Sequence, residues 1–345
     1  MNNRVLPAVL LVAALAPGPA GAFLENTGGS AAQFLQIGAG ARSYGMGDAF
    51  CAVAEGPDAI YWNPAGLAAM QRPAFAYTRS EPVSSVHHDY AAYGHPVSLL
   101  KGTLGVSLTY QSQDYLPLVT NANLETGTFT PHAEAIAVAY ATKFQVGDAR
   151  TARDFYGEYW NVPGVNRPLR QGTEPWTGVV MLGVGAKIVR ENIYNRDATA
   201  VLFDGGVLFR PSYLKGFSMG LAFRNVGERF RFIDAGQMAP VEFDLGAAYT
   251  LALKRSRLTA SGGVGLPYFG GPDGRLGLEY ALRTSGSLEG ALRLGFRTRT
   301  FDDLSPLTAF TAGVGLNVHR ASLDIGIRPM AELGVGYKLS LGYRF

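Results

Sequence analysis

Apolar and polar residues alternate one by one through much of the chain. At the carboxyl end Leu333, Val335, Tyr337, Leu339, Leu341, Tyr343 and Phe345 are separated by Gly334, Gly336, Lys338, Ser340, Gly342 and Arg344. A period of two marks an extended strand whose side chains point by turns to two faces. The same alternation runs through Leu276/Leu278/Tyr280/Leu282, Leu292/Leu294/Phe296, Leu323/Ile325/Ile327 and Leu104/Val106/Leu108/Tyr110. Counting such segments predicts fourteen strands, at 73–79, 89–97, 103–111, 133–144, 178–190, 199–210, 217–225, 241–253, 257–265, 275–283, 290–299, 308–318, 321–328 and 333–345.

The residues between the apolar ones decide the class. The polar face of a soluble sandwich meets bulk water and would carry more Lys, Glu and Thr than Gly. Here that face is Gly with scattered charges of both signs, as in a crowded interior where side chains fit around something. The expected fold is all-β, a 14-stranded antiparallel transmembrane β-barrel over residues 71–345, one face on lipid and the other on a lumen. An even strand number places both ends on the periplasmic side of a bacterial outer membrane. The chain has no run of about 18 apolar residues, so no transmembrane helix competes with this reading.

The first residues set the compartment. Arg4, the apolar stretch Val5 to Leu15 and Ala20-Gly21-Ala22 form a secretory signal peptide over 1–22, removed after Ala22. Phe23, not Cys, stands directly after the cleavage site, which argues against a lipid anchor, and the single Cys51 excludes an internal disulfide framework. The formal charge of +3 falls to +2 without Arg4, and no Lys/Arg run suggests nucleic acid as a partner.

Residues 23–70 do not read as barrel wall. Ile60, Leu67 and Met70 have helical spacing, interrupted at Pro64, behind a Gly-rich run able to turn sharply. A fourteen-strand barrel leaves a lumen too wide for its own side chains to fill. A short N-terminal plug is therefore expected over 23–70, with Phe34, Leu35, Met46 and Phe50 as possible apolar lining. The alternative is that Asn63-Pro64 is a plain turn before the first strand.

The segment Gly38 to Leu67, GAGARSYGMGDAFCAVAEGPDAIYWNPAGL, resembles the N-terminal signature of the PorV/PorQ group of outer-membrane proteins, relatives of the FadL hydrocarbon transporters. Gly45, Gly47, Trp62, Asn63, Pro64, Ala65 and Gly66 carry that likeness as the plug motif. Ala198–Gly206, Ala222–Gly227, Pro240–Tyr249 and Gly277–Tyr280 are similar to further family stretches in the same order. The ladder Leu339, Leu341, Tyr343, Phe345 resembles the signal read by the barrel assembly machinery. The resemblance implies a FadL-like fold and a protein-export component of type IX secretion, which receives exported proteins by their C-terminal domains and works with other secretion components. The alternative it implies is a FadL-like transporter of small hydrophobic compounds, and a third reading is a structural barrel whose loops contact envelope proteins. The polar lumen positions on the clearest strands count against a hydrocarbon conduit. By the same topology, loops Gln113–Pro131 and Gly227–Pro240 are expected to be extracellular and to bind an exported protein. The stretch 145–175, with Phe155, Tyr156, Tyr159 and Trp160, is expected as a periplasmic docking insert.

Catalysis finds no constellation. Ser84, Ser85, His87, His88 and Asp89 include the residue types of a hydrolase triad, but neighbouring strand residues such as His88 and Asp89 point to opposite faces. Gly45-Met46-Gly47 lacks the third glycine and βαβ context of a dinucleotide site. There is no H-E-x-x-H or C-x-x-C. No enzyme activity, cofactor or metal is expected.

Overall fold

The computed structural model describes residues 29–82, 85–121, 123–146, 177–233, 235–285, 287–300 and 305–345. The expected signal peptide and most of the 145–175 insert lie outside these residues. The described residues form eighteen strands: β1 (Ala74–Glu81), β2 (Val86–Val97), β3 (Gly102–Gln113), β4 (Leu116–Val119), β5 (Glu125–Phe129), β6 (His132–Val146), β7 (Gly178–Ile193), β8 (Arg196–Pro211), β9 (Phe217–Gly227), β10 (Phe230–Arg231), β11 (Gly236–Gln237), β12 (Glu242–Ala252), β13 (Ser256–Pro267), β14 (Asp273–Ser285), β15 (Leu288–Arg297), β16 (Phe310–Val318), β17 (Ala321–Pro329) and β18 (Val335–Arg344). Fourteen close into one antiparallel barrel in the order β1-β18-β17-β16-β15-β14-β13-β12-β9-β8-β7-β6-β3-β2. Each has a counterpart among the segments read from the alternation.

Closure is by the two ends of the chain. β1 pairs with β18 from Ala74↔Arg344 to Glu81↔Tyr337, and the Phe345 N–H donates to the Pro73 carbonyl at 2.9 Å. We call the rim carrying Pro73 and Phe345 proximal and the other distal. On the outward face of the proximal rim the Phe345 ring meets Tyr343 and Tyr93 edge-on, at 5.1 and 6.2 Å. Leu339 and Leu341 continue the same outward row.

The four remaining strands form two hairpins outside the barrel, β4–β5 between β3 and β6 and β10–β11 between β9 and β12. Their short strands, one holding Pro117, fall below the length at which alternation stands out. Two strands start two residues later than the pattern, at Phe310 and Val335. A 3-10 turn at Pro306–Ala309 delays β16, and one at Ala331–Leu333 followed by Gly334 (φ 92°) delays β18.

The outward face is an apolar belt: Leu104, Val106, Ile136, Val138, Leu182, Val184, Leu221, Leu245, Leu278, Leu292, Val314 and Ile325 are all exposed. An uncovered apolar surface on this scale belongs in lipid. A ten-residue strand such as β18, tilted as barrel strands are, covers a belt about 25 Å tall. His88 is buried on the lumen side of β2, whereas Asp89 points outward to the Arg79 guanidinium (2.6 Å) and the Tyr77 hydroxyl (2.6 Å).

Candidate functional site

The lumen is occupied by residues 29–70, which run from the distal to the proximal end. The Ala31 N–H donates to the Met238 carbonyl in the distal β10–β11 loop at 3.0 Å. At the other end Leu67 and Met70 pack against the lumen side of β2 and β3, beside Gly94 and Gly105. Between them lie short helices at Ala41–Gly45 and Ala59–Trp62 and 3-10 turns at Gln33–Gln36 and Pro64–Ala69. The last turn starts on Pro64, and the Asn63 Oδ1 caps it by accepting from the Ala65 N–H at 3.2 Å. Pro64 is why the helical spacing breaks there.

The glycines of the wall are where this backbone presses against it. A Cβ on Gly277 would stand 2.6 Å from the Met46 carbonyl oxygen, and one on Gly220 would stand 2.5 Å from that of Cys51. Gly295 and Gly183 are closed off in the same way by the backbones of Gly47 and Ala65, and Gly206 by the side-chain amide of Asn63. The contact is reciprocal at Gly45, whose Cα meets Gly313. At Gly277, Gly220, Gly295, Gly183 and Gly313 the wall carries Gly because plug backbone lies directly on it.

The resemblance-marked residues come together here. The Gly47 N–H donates to the Thr311 Oγ1 at 3.0 Å, and the Trp62 indole donates to the Ala39 carbonyl at 2.8 Å. The Asn63 Nδ2 lies 3.1, 3.2 and 3.3 Å from the carbonyls of Cys51, Val207 and Leu221, tying the segment to β8 and β9. Pro64, Ala65 and Gly66 are buried. Leu339, Leu341, Tyr343 and Phe345 are remote from this cluster, on the outside of the closing strand.

Sequence reasoning missed the charges that fasten the segment. Asp48 accepts from Arg297 at 2.7 Å and Arg328 at 3.1 Å. Arg42 reaches Glu279 at 2.8 Å, and Glu279 also takes Arg293 at 2.8 Å, which extends to Asp324 at 2.7 Å. The Lys338 Nζ donates to the carbonyls of Ile37 and Gly38 at 2.6 Å each. Beyond them Arg297–Asp273, Arg275–Asp273, Arg275–Asp244 and Arg224–Asp244 form a chain of pairs 2.6–2.8 Å long. Arg224 then lies over the rings of Tyr61 and Trp62, at 5.0 and 5.2 Å. Burial alone would raise the Asp48 carboxyl, but Arg328 and Arg297 hold it down at about 2. Asp58 has no such partner on its Oδ1; burial, with Asp324 nearby, pushes it up to about 6.

The opposite wall corrects the expectation of a polar lumen. Along β6 the inward positions are Ala133, Ala135, Ala137, Ala139 and Ala141, and β7 and β8 add Val179, Met181, Val189, Leu202 and Leu208. Two apolar clusters form on this wall. One, toward the distal rim, holds Phe34, Leu35 and Phe230; the other holds Met46, Phe50 and Trp62. The strands with the clearest alternation lie mostly on the charged side, and generalising from them made the lumen look polar throughout. One ion pair interrupts the apolar side, Lys187–Asp204 at 2.7 Å. Asp204 Oδ1 also accepts from the Asn225 N–H at 2.7 Å, where the β8–β9 register shifts and Asn225 takes φ 62°.

Comparison with solved structures places the fold. The Ralstonia pickettii toluene transporter TbuX superposes with a TM-score of 0.51 at 10% identity, over 89% of this chain and 98% of that one. The Pseudomonas putida toluene transporter TodX gives 0.50 at 10% identity, over 89% and 99%. At these identities the likeness is one of architecture, and the barrel is FadL-like as the resemblance implied. No family model and no curated protein sequence matches the chain, so the PorV/PorQ resemblance stands on the segments quoted above alone.

Proposed function

We propose that the protein is an outer-membrane barrel that admits small hydrophobic compounds, with residues 29–70 as its plug. The observation that carries this reading is the two-sided lumen, in which the alanines of β6, with apolar residues of β7 and β8 around the Lys187–Asp204 pair, face an apolar flank of the plug. The architectural neighbours transport toluene, a compound of the class such a wall would accept. Distal then means extracellular and proximal periplasmic. The proximal connections at 98–101, 253–255, 286–287 and 319–320 are short and both hairpin-bearing loops are distal, which accords with that orientation; the long 147–177 connection is the exception on the proximal side. We also read 1–22 as a signal peptide removed after Ala22, and Leu339, Leu341, Tyr343 and Phe345 as the assembly signal.

The test is uptake of radiolabelled toluene at micromolar concentration by cells lacking their own hydrocarbon channels. Cells making this protein should accumulate label several-fold faster than cells with an empty vector. Equal rates, with the barrel present in the outer membrane, would remove the proposal. A second reading, a PorV-like receiver of exported proteins, draws on the Gly38–Leu67 segment and on the hairpins β4–β5 and β10–β11 at the distal rim. It would gain if pull-downs recovered secreted proteins sharing one C-terminal domain while toluene uptake stayed at background.

A further inference from the structure

The plug is held unequally by its two sides. Against β14–β18 it is fastened by charge: Arg42 on Glu279, Asp48 on Arg297 and Arg328, and Lys338 on two plug carbonyls. Parting these surfaces would strand buried charges without partners, the most expensive separation a packed interior offers. Against β6 the plug meets methyl groups. Ala133, Ala135, Ala137, Ala139 and Ala141 stand in single file along the height of the lumen, all buried. A methyl has no directional bond to break, and its cost of separation is only the apolar area handed to water. That cost disappears when an apolar molecule, rather than water, fills the gap. The file also joins the two apolar clusters, since Ala133 and Ala135 belong to the distal one and Ala137, Ala139 and Ala141 to the inner one.

We propose that the plug stays anchored to β14–β18 and parts from β6, and that a small uncharged hydrocarbon crosses along the alanine file. This inference rests on the transport reading above for its cargo, but the side on which the plug opens can be measured without any cargo. In a Cys51→Ala background, single cysteines are placed at Ala137, on the file, and at Thr311, which bonds Gly47 on the anchored side. The rate of modification by N-ethylmaleimide is then followed in detergent. A137C should react at least tenfold faster than T311C, although both positions are buried in the closed state. Rates within twofold, or a faster T311C, would overturn the inference. In cells, Ala137→Phe should lower toluene uptake at least tenfold while the barrel keeps its heat-modifiable mobility. Should A137F lose that mobility, Ala137→Leu is read in its place. Uptake by the folded variant equal to wild type would overturn the route while leaving transport standing. Absence of uptake by the wild type would sink the transport reading, and with it the cargo, without touching the labelling result.

Discussion

Replacing Asp48 with Asn removes the best-buried of the plug's own charges that join it to the wall. Asp48 is 3% exposed, and its Oδ2 serves Arg297 and Arg328 together. Arg297 keeps Asp273 at 2.6 Å, but Arg328 is left over the Tyr44 ring, 4.4 Å from its centroid. Taking one partner from a buried ion pair costs about 3–5 kcal/mol. Asn retains an oxygen that can accept a hydrogen bond, which puts the loss near about 3 kcal/mol, or roughly a hundredfold at 1.4 kcal/mol per factor of ten. Because Asp48 is on the plug and both arginines are on the wall, the loss falls on the docking equilibrium. In planar bilayers the D48N protein should be open roughly a hundred times more often than wild type, with the barrel itself unchanged in heat-modifiable mobility. The pH dependence carries the same signature. The carboxyl is held at about 2 against an ordinary value of 3.8, so its contribution is full above about pH 4 and is lost as pH falls through about 2. Wild type should therefore open over that interval, and D48N should not respond there. A D48N channel as closed as wild type at neutral pH would refute the latch.

Asp58 works in the opposite direction. Its raised carboxyl favours the docked plug below about pH 4, and that contribution fades as pH rises through about 6. Asp58→Asn should raise the melting temperature at pH 8 and leave it unchanged at pH 4, read by circular dichroism; an equal shift at both would exclude the linkage. Gly277→Ala places a Cβ 2.6 Å from the Met46 carbonyl oxygen, whereas one at Gly290 meets nothing within 4 Å. G277A should cost about 1–3 kcal/mol of plug docking and G290A should be silent in the same bilayer recording. Asn63→Ala leaves the Cys51, Val207 and Leu221 carbonyls short of a donor, and about 1–3 kcal/mol of stability should go with it, measured by thermal unfolding. Deleting Phe345 removes the Pro73 contact and the ring between Tyr93 and Tyr343, and outer-membrane levels should fall; normal levels would set aside the assembly signal.

The barrel was legible because period-two alternation is a local property, readable strand by strand from Leu104–Tyr110 through to Leu333–Phe345. The Gly-rich inward face also announced a crowded interior. Which backbone sits on which glycine was not legible, because Met46 against Gly277 is a contact between residues more than two hundred apart, fixed by the wall's register. The latch was hidden for the same reason: Asp48 looked like one acid in a loop until closure brought Arg297 and Arg328 to it. The apolar wall was overlooked because HAEAIAVAYA is nearly apolar on both faces. Its alternation between small and large, Ala133 to Ala141 against Ile136, Val138 and Tyr140, was the available signal for which face turned inward.

Trp62 offers the most direct test of hydrophobic passage, since it sits at 3% exposure in the same cluster as Ala137. With Trp160 and Trp176 replaced by Phe, its fluorescence is titrated with 4-bromotoluene, whose heavy atom quenches at contact. Passage beside Trp62 predicts saturable quenching that toluene competes away and that Ala137→Phe abolishes. Quenching that rises linearly with concentration, indifferent to toluene and to the Ala137 substitution, would contradict it.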